Sequence, residues 1–128
     1  MSLLLEQVFG GVSPILVGVL NVTPDSFSDG GEYLSLDAAL RRAEEMWVGG
    51  AAVIDVGGES TAPGAQRVDA AEEISRISQV VRALAARMFV SVDTYKAEVA
   101  HHCLKLGARM INDVSALRAD PDMLKVLK

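Results

Sequence analysis

Amide and carboxylate side chains stand at the ends of apolar runs, where a buried strand has no use for them. Asn21 follows ILVGVL, Asp55 lies inside VIDVGGES, Asp93 closes VSVD, and Asn112 with Asp113 interrupts MINDVS. A carboxylate accepts hydrogen bonds, whereas an amide both accepts and donates. Together they can read a ligand edge of mixed polarity, and their oxygens suit a hard cation. One polar residue at a strand end more often caps the following helix or satisfies a backbone group. Asp113 is read in that way, and Asp55 as a partly buried tie between neighbouring loops. Coincidence at four successive strand ends points further, to a shared site.

The elements that must position these residues follow from hydrophobic spacing. Apolar runs predict strands at 15–20, 52–56, 88–92 and, more weakly, 109–111. The first three are nearly continuous, as expected for parallel strands buried on both faces. Leu36, Ala39, Leu40, Ala43, Met46 and Trp47 recur at helical spacing, with Ser35 as the N-cap and Gly49-Gly50 as the stop. A second helix opens on Asp69 with Glu72 three residues later, and its stripe is Ile74, Ile77, Val81 and Leu84. Val99, Cys103 and Leu106 share a face of a third, which Gly107 ends. A fourth opens on Asp120-Pro121 and carries Met123, Leu124 and Leu127.

Strand and helix thus alternate four times, which predicts a parallel sheet with right-handed crossovers. Either a doubly wound open sheet or the first half, (βα)4, of a (β/α)8 barrel fits; a whole barrel takes roughly 250 residues. In both, the carboxyl ends of the strands converge on the ligand-binding face. The connections at 21–34 and 57–68 exceed the usual two to six residues and are expected to cover a site.

Several function classes lack support. The net charge of −5 gives no electrostatic reason to expect nucleic acid or an anionic membrane surface. No apolar run approaches the ~18 residues of a membrane span. The opening MSLLLEQVFGG lacks the basic region of a secretory signal, so a cytoplasmic location is expected. Cys103, the sole cysteine, excludes an internal disulfide and is read as a small apolar residue. DSFSDGG fails as a calcium loop because Phe27 and Leu36 fall on ligand positions. GGESTAPG lacks the Gly-Lys-Ser/Thr ending of a phosphate loop, and no G-x-G-x-x-G follows a strand. His101 and His102 diverge by about 100° on a helix and cannot share a metal. They and RRAEE are read as solvated helix faces.

GVLNVTPDSFSDGG, IDVGGESTAPGA, VSVDTYKAEVA and MINDVSAL, in this order and spacing, resemble the signature segments of the dihydropteroate synthase family. The resemblance runs from about residue 15 to the end and corresponds to the first half of that enzyme. It implies a pterin-binding (β/α)8 barrel, with residues 1–128 as an N-terminal half that stops within the fourth helix. It also implies a transferase of folate biosynthesis, which joins p-aminobenzoate to 6-hydroxymethyl-7,8-dihydropterin pyrophosphate, releases pyrophosphate, uses Mg2+ and is competed by sulfonamides. By position, Asp93 and Asn112 resemble the pterin-binding pair and Asn21 the residue at magnesium and pyrophosphate. Asp29 is implied to help organise the metal. Thr61 resembles a substrate contact, and Phe27 and Pro63 resemble positions lining the aminobenzoate subsite. No catalytic residue is assigned in this half.

Ala62 stands where the family commonly has arginine in STRPG, which implies weaker anchoring of an anionic substrate. The family's second half supplies further pterin and pyrophosphate contacts and the helices of its usual homodimer, so the 128-residue chain alone is expected to be inactive. The alternatives are a pterin-binding methyltetrahydrofolate methyltransferase, against which NVTPDSFSDGG argues, and a non-catalytic pterin-binding half.

Overall fold

The computed structural model describes residues 9–11, 14–23, 35–60 and 63–128. In chain order the elements are β1 (Val17–Asn21), α1 (Leu36–Val48), β2 (Val53–Gly57), α2 (Ala70–Ala85), β3 (Val90–Asp93), α3 (Ala97–Leu106), β4 (Met110–Asn112) and α4 (Met123–Leu127). All the strand pairings are parallel and the order is β1-β2-β3-β4. This consecutive order, without reversal, is that of a barrel wall; a doubly wound sheet changes direction at a switch point. α1 packs on β1 and β2, α2 on β2 and β3, and neighbouring helices pack on one another, so they form one layer on one side of the sheet.

Strand alternation explains the core. Leu20, Ile54, Val56, Val90 and Val92 project to the helix side. There they meet Ala39 and Ala43 of α1, Ile77, Val80, Val81 and Leu84 of α2, and Val99 and Cys103 of α3, all buried. Burial pushes the Cys103 thiol up to about 12, so it packs as a small apolar residue, as the sequence suggests. Ala97, Ala100 and Met123 form a second cluster under α4. Phe89 is buried at the amino end of β3, and Phe9 meets it edge to face with centroids 6.0 Å apart. Among the described residues, no helix is long and apolar enough to cross a membrane.

The expected caps are present. Ser35 Oγ accepts from the Ala38 N–H at 3.1 Å, and Asp69 Oδ1 from the Glu72 N–H at 2.8 Å. Three details differ from expectation. The strands start and end one or two residues later than the apolar runs suggest. β1 is open on one face, with Val17 48% and Val19 58% exposed, because it is an edge strand with β2 as its one neighbour among the described residues. α4 starts at Met123 rather than after Asp120, whose carboxylate is turned toward α3. Asp120 Oδ2 accepts from the Ala97 N–H at 2.8 Å and Oδ1 from the Asp122 N–H at 3.0 Å, so its carboxyl is held below its ordinary range. Lys96, the residue at the α3 N-cap, makes no side-chain capping bond, and Asp120 supplies that acceptor from a distant part of the chain.

Gly107 ends α3 at φ +116°, and a Cβ built there would lie 2.9 Å from Ala85 Cβ. Gly107→Ala combines a left-handed backbone with a clash against α2. It is expected to destabilise the protein by about 1–3 kcal/mol. Urea unfolding is the measurement, and an unchanged midpoint would contradict this account.

Candidate active site

Parallel register assembles the site. Asn21 pairs with Gly57, Gly57 with Asp93, and Asp93 with Asn112, so the four form one row across the carboxyl ends of the strands. Paired residues of parallel strands project to the same face, here the one opposite the helices. Two residues lower lies a second row, Val19, Asp55, Ser91 and Met110. Asp55 therefore sits beneath the row that the sequence suggested it would join, and β2 contributes Gly57 at the top. A Cβ at Gly57 would lie 3.5 Å from Asn21 Oδ1 and 3.6 Å from Asp93 Cβ. Its absence leaves a gap between the amide and the carboxylate.

Asp55 is 5% exposed and accepts from Asn112 Nδ2 at 3.3 Å. Because a carboxylate only accepts, this contact turns the amide nitrogen of Asn112 down and its oxygen away. Asp55 Oδ1 and the adjacent Ser91 Oγ are buried without a hydrogen-bond partner among the described residues. Asp93 is part-buried. Burial, then the charges of Asp55, Glu73, Asp113 and Glu59, raise its carboxyl to about 6. Among the described residues no positive side chain is set against it, so the geometry favours a ligand that donates hydrogens to Asp93.

Beside Asp93 opens a cavity of about 360 Å³, walled by Glu59, Ala65, Gln66 and Arg67 of the β2–α2 connection, Tyr95 after β3 and Val114 after β4. Arg67 is the one cation on this wall among the described residues. Asp113 anchors the β4–α4 connection. Its Oδ1 accepts from the N–H and the hydroxyl of Ser115, and its Oδ2 from the Leu117 N–H at 3.1 Å. Ala116 and Leu117 are held at φ 54° and 70°, which costs each about 1–2 kcal/mol. The structural role expected of Asp113 is the observed one.

Asn21, Asp93 and Asn112 are thus brought together. Pro63 is exposed on the β2–α2 connection. Phe27, Asp29, Thr61 and Ala62 lie outside the described residues. Sequence reasoning missed Glu59, Glu73 and Tyr95, which line the cavity, and Lys96, which pairs with both glutamates. Burial and the Glu73 carboxylate act oppositely on Lys96, and Glu73 prevails, holding the ammonium above its usual range. Glu59 is held below the carboxylate range; burial would raise it, but the Val68 N–H, Tyr95 and Lys96 outweigh that. One signal was available: Glu73 precedes Ile77 by four residues and so falls on the apolar stripe of α2. His101 is exposed as expected, while His102 lies 3.1 Å from Ser78 Oγ and ties α3 to α2.

A family model described as pterin binding enzyme matches residues 17–128. The chain is 53% identical over 114 residues to the dihydropteroate synthase of Bacillus subtilis, covering 88% of this chain and 40% of that protein. A solved dihydropteroate synthase from Clostridium difficile, in the presence of pteroic acid, superposes with a TM-score of 0.85 at 49% identity, covering 91% of this chain and 45% of that one. One from Xanthomonas albilineans, with 4-aminobenzoic acid, gives 0.81 at 44% identity, covering 91% and 44%. The chain therefore spans about two fifths of the length of the curated relatives it matches.

The raised Asp93 carboxyl carries a linkage consequence. The folded state holds this proton more tightly than the unfolded chain, whose carboxyl titrates near 3.8. Stability therefore falls as pH rises through about 6, and the penalty is complete above it. Asp93→Asn is expected to raise the melting temperature at about pH 8, with the gain shrinking to nothing near pH 4. Melting curves across this range check it; an equal gain at both ends would rule out the electrostatic cause.

Proposed function

Since the chain belongs to the pterin-binding enzyme family, we propose that the whole protein is a cytoplasmic dihydropteroate synthase. It joins the amine of p-aminobenzoate to 6-hydroxymethyl-7,8-dihydropterin pyrophosphate. A C–N bond forms at the methylene carbon as its C–O bond to pyrophosphate breaks, and the amine gives up a proton. The row of Asn21, Gly57, Asp93 and Asn112 carries this reading. A pterin presents adjacent N–H donors beside a carbonyl. Asp93 supplies an acceptor to those donors in charge-assisted form, and the amide of Asn112 suits the mixed edge. The orphaned oxygens of Asp55 and Ser91 beneath are further polar groups for the ligand end of the barrel.

The donor chemistry also fits magnesium. Asn21 presents an amide oxygen at the strand end, and magnesium takes oxygen ligands, commonly one or two from protein beside phosphates and water. Asn21 would hold the ion, with Asp29 of the first connection as a second contributor. An ion held there would supply positive charge against that growing on the departing pyrophosphate. Asn21 and Gly57 then leave room on one side of Asp93 for the reacting arm, and the wall that carries Arg67 favours an anionic group on the other. That both substrates are anionic accords with a cation on a wall otherwise rich in carboxylates.

Full-length protein given both substrates is expected to release pyrophosphate and form dihydropteroate in a magnesium-dependent way. Asp93→Asn is expected to weaken pterin binding by about ten- to a hundredfold, the scale of a hydrogen bond to a charged group. Calorimetry with the pterin and a product assay are the checks. Methyl transfer from methyltetrahydrofolate, with no pyrophosphate formed, would overturn the assignment.

A further inference from the structure

One carboxylate fastens both ends of the β2–α2 connection. Glu59 leaves β2 two residues after Gly57, and its Oε1 accepts from the backbone N–H of Val68 at 2.6 Å, nine residues on. The Tyr95 hydroxyl donates to the same oxygen at 3.2 Å. Oε2 lies 3.4 Å from Lys96 Nζ, and that ammonium donates to Oε1 of Glu73 at 2.6 Å. Glu73 is 1% exposed on α2, and Lys96 also rests 4.3 Å from the centre of the Tyr95 ring. Arg76 Nη1 adds a bond of 2.8 Å to the Gly58 carbonyl, at the root of the same connection. Three donors, the Val68 N–H, the Tyr95 hydroxyl and the Lys96 ammonium, therefore converge on Glu59, and the residues between the two ends of the connection include Ala65, Gln66 and Arg67 of the cavity wall.

We propose that Glu59 is a positioning residue: its carboxylate clasps residues 59 and 68 together, with Lys96 and Glu73 behind it, and so holds Arg67 and its neighbours against the cavity beside Asp93. The geometry is that of a surface loop whose two ends are tied together. Tying the ends in advance spares the substrate the ordering of that wall, which is how preorganisation raises affinity. The clasp touches no reacting atom. Its expected signature is thus in KM for an anionic substrate rather than in kcat. The catalytic part of this proposal rests on the dihydropteroate synthase reading; the clasp itself does not.

Two variants of the full-length protein separate the possibilities. Glu59→Ala removes every contact, whereas Glu59→Gln keeps an oxygen for Val68 and Tyr95 and gives up the charge. For Glu59→Ala, amide exchange at Val68 is expected to accelerate about tenfold or more, and KM for p-aminobenzoate or the pterin pyrophosphate to rise about tenfold, with kcat changed far less. Glu59→Gln is expected to retain slow exchange at Val68 and most of the wild-type KM. Unchanged Val68 exchange in Glu59→Ala would overturn the clasp. Fast exchange with an unchanged KM would overturn its role in substrate binding, and so would an equal fall in kcat and melting temperature in both variants. A wild-type enzyme that makes no dihydropteroate would defeat the functional reading instead, and the exchange data would still decide the clasp.

Discussion

The arrangement depends on register. In a parallel sheet with side chains alternating between faces, a slip of one residue would turn every polar strand end toward the helices. That slip is resisted on the opposite face, where Leu20, Val56 and Val92 occupy a row against α1, α2 and α3. Each is buried, and a slip would exchange them for Asn21, Gly57 and Asp93. The hydrophobic core therefore specifies the position of the site even though it makes no contact with a ligand. Distant parts of the sequence come together at 21, 57, 93 and 112 because α1, α2 and α3 each return the chain to the amino end of the sheet for the next parallel strand.

Electrostatics then differentiates groups of the same chemical type. Asp93, Asp55, Glu59 and Glu73 are all carboxyls within one region, yet their surroundings separate them. Glu59 and Glu73 share Lys96, so both are engaged in structural contacts. Asp113 is consumed by three local donors. Asp93 has burial and the others' fields without an ion pair among the described residues, and is raised to about 6. The acidic wall disfavours anions in general. An anionic substrate must then be directed to particular places, the Arg67 side of the cavity and the oxygen donors around Asn21, while the neutral, donor-rich ring meets the carboxylates.

Much of this was legible in the sequence because strand ends and helix caps are local signals. Ser35, Asp69 and Gly107 act where spacing puts them, and the convergence of Asn21, Asp93 and Asn112 follows from four βα units once the strands are parallel. Less legible was whatever depends on tertiary geometry. Asp120 looks like the cap of the helix it precedes, but its carboxylate serves the start of α3. Glu73 falls at apolar spacing on α2, but only the fold shows the lysine 23 residues on that makes its burial tolerable. Edge position, rather than composition, exposes Val17 and Val19. Loops are the least legible of all: the role of Glu59 requires knowing that Val68, Tyr95 and Lys96 arrive beside it.

Among the described residues, unfavourable features also gather at one end of the sheet. The amino ends are conventional, with Phe89 buried and the strands feeding a closely packed helix layer. Toward the carboxyl ends lie two buried oxygens without partners among the described residues, a carboxyl shifted away from its ordinary range, and two consecutive non-glycine residues in the left-handed region. Each is a local cost of about 1–3 kcal/mol by ordinary reckoning. A packing defect would have no reason to choose the same end as the polar row, the two long connections and the cavity. Such costs persist where the surrounding structure over-determines them, as the Glu59–Lys96–Glu73 cluster and the Asp113 turn do here. Polar groups kept unpaired in the absence of ligand retain full hydrogen-bonding capacity for it, and lowering that cost by filling the pocket with complementary protein groups would leave the ligand less to bind.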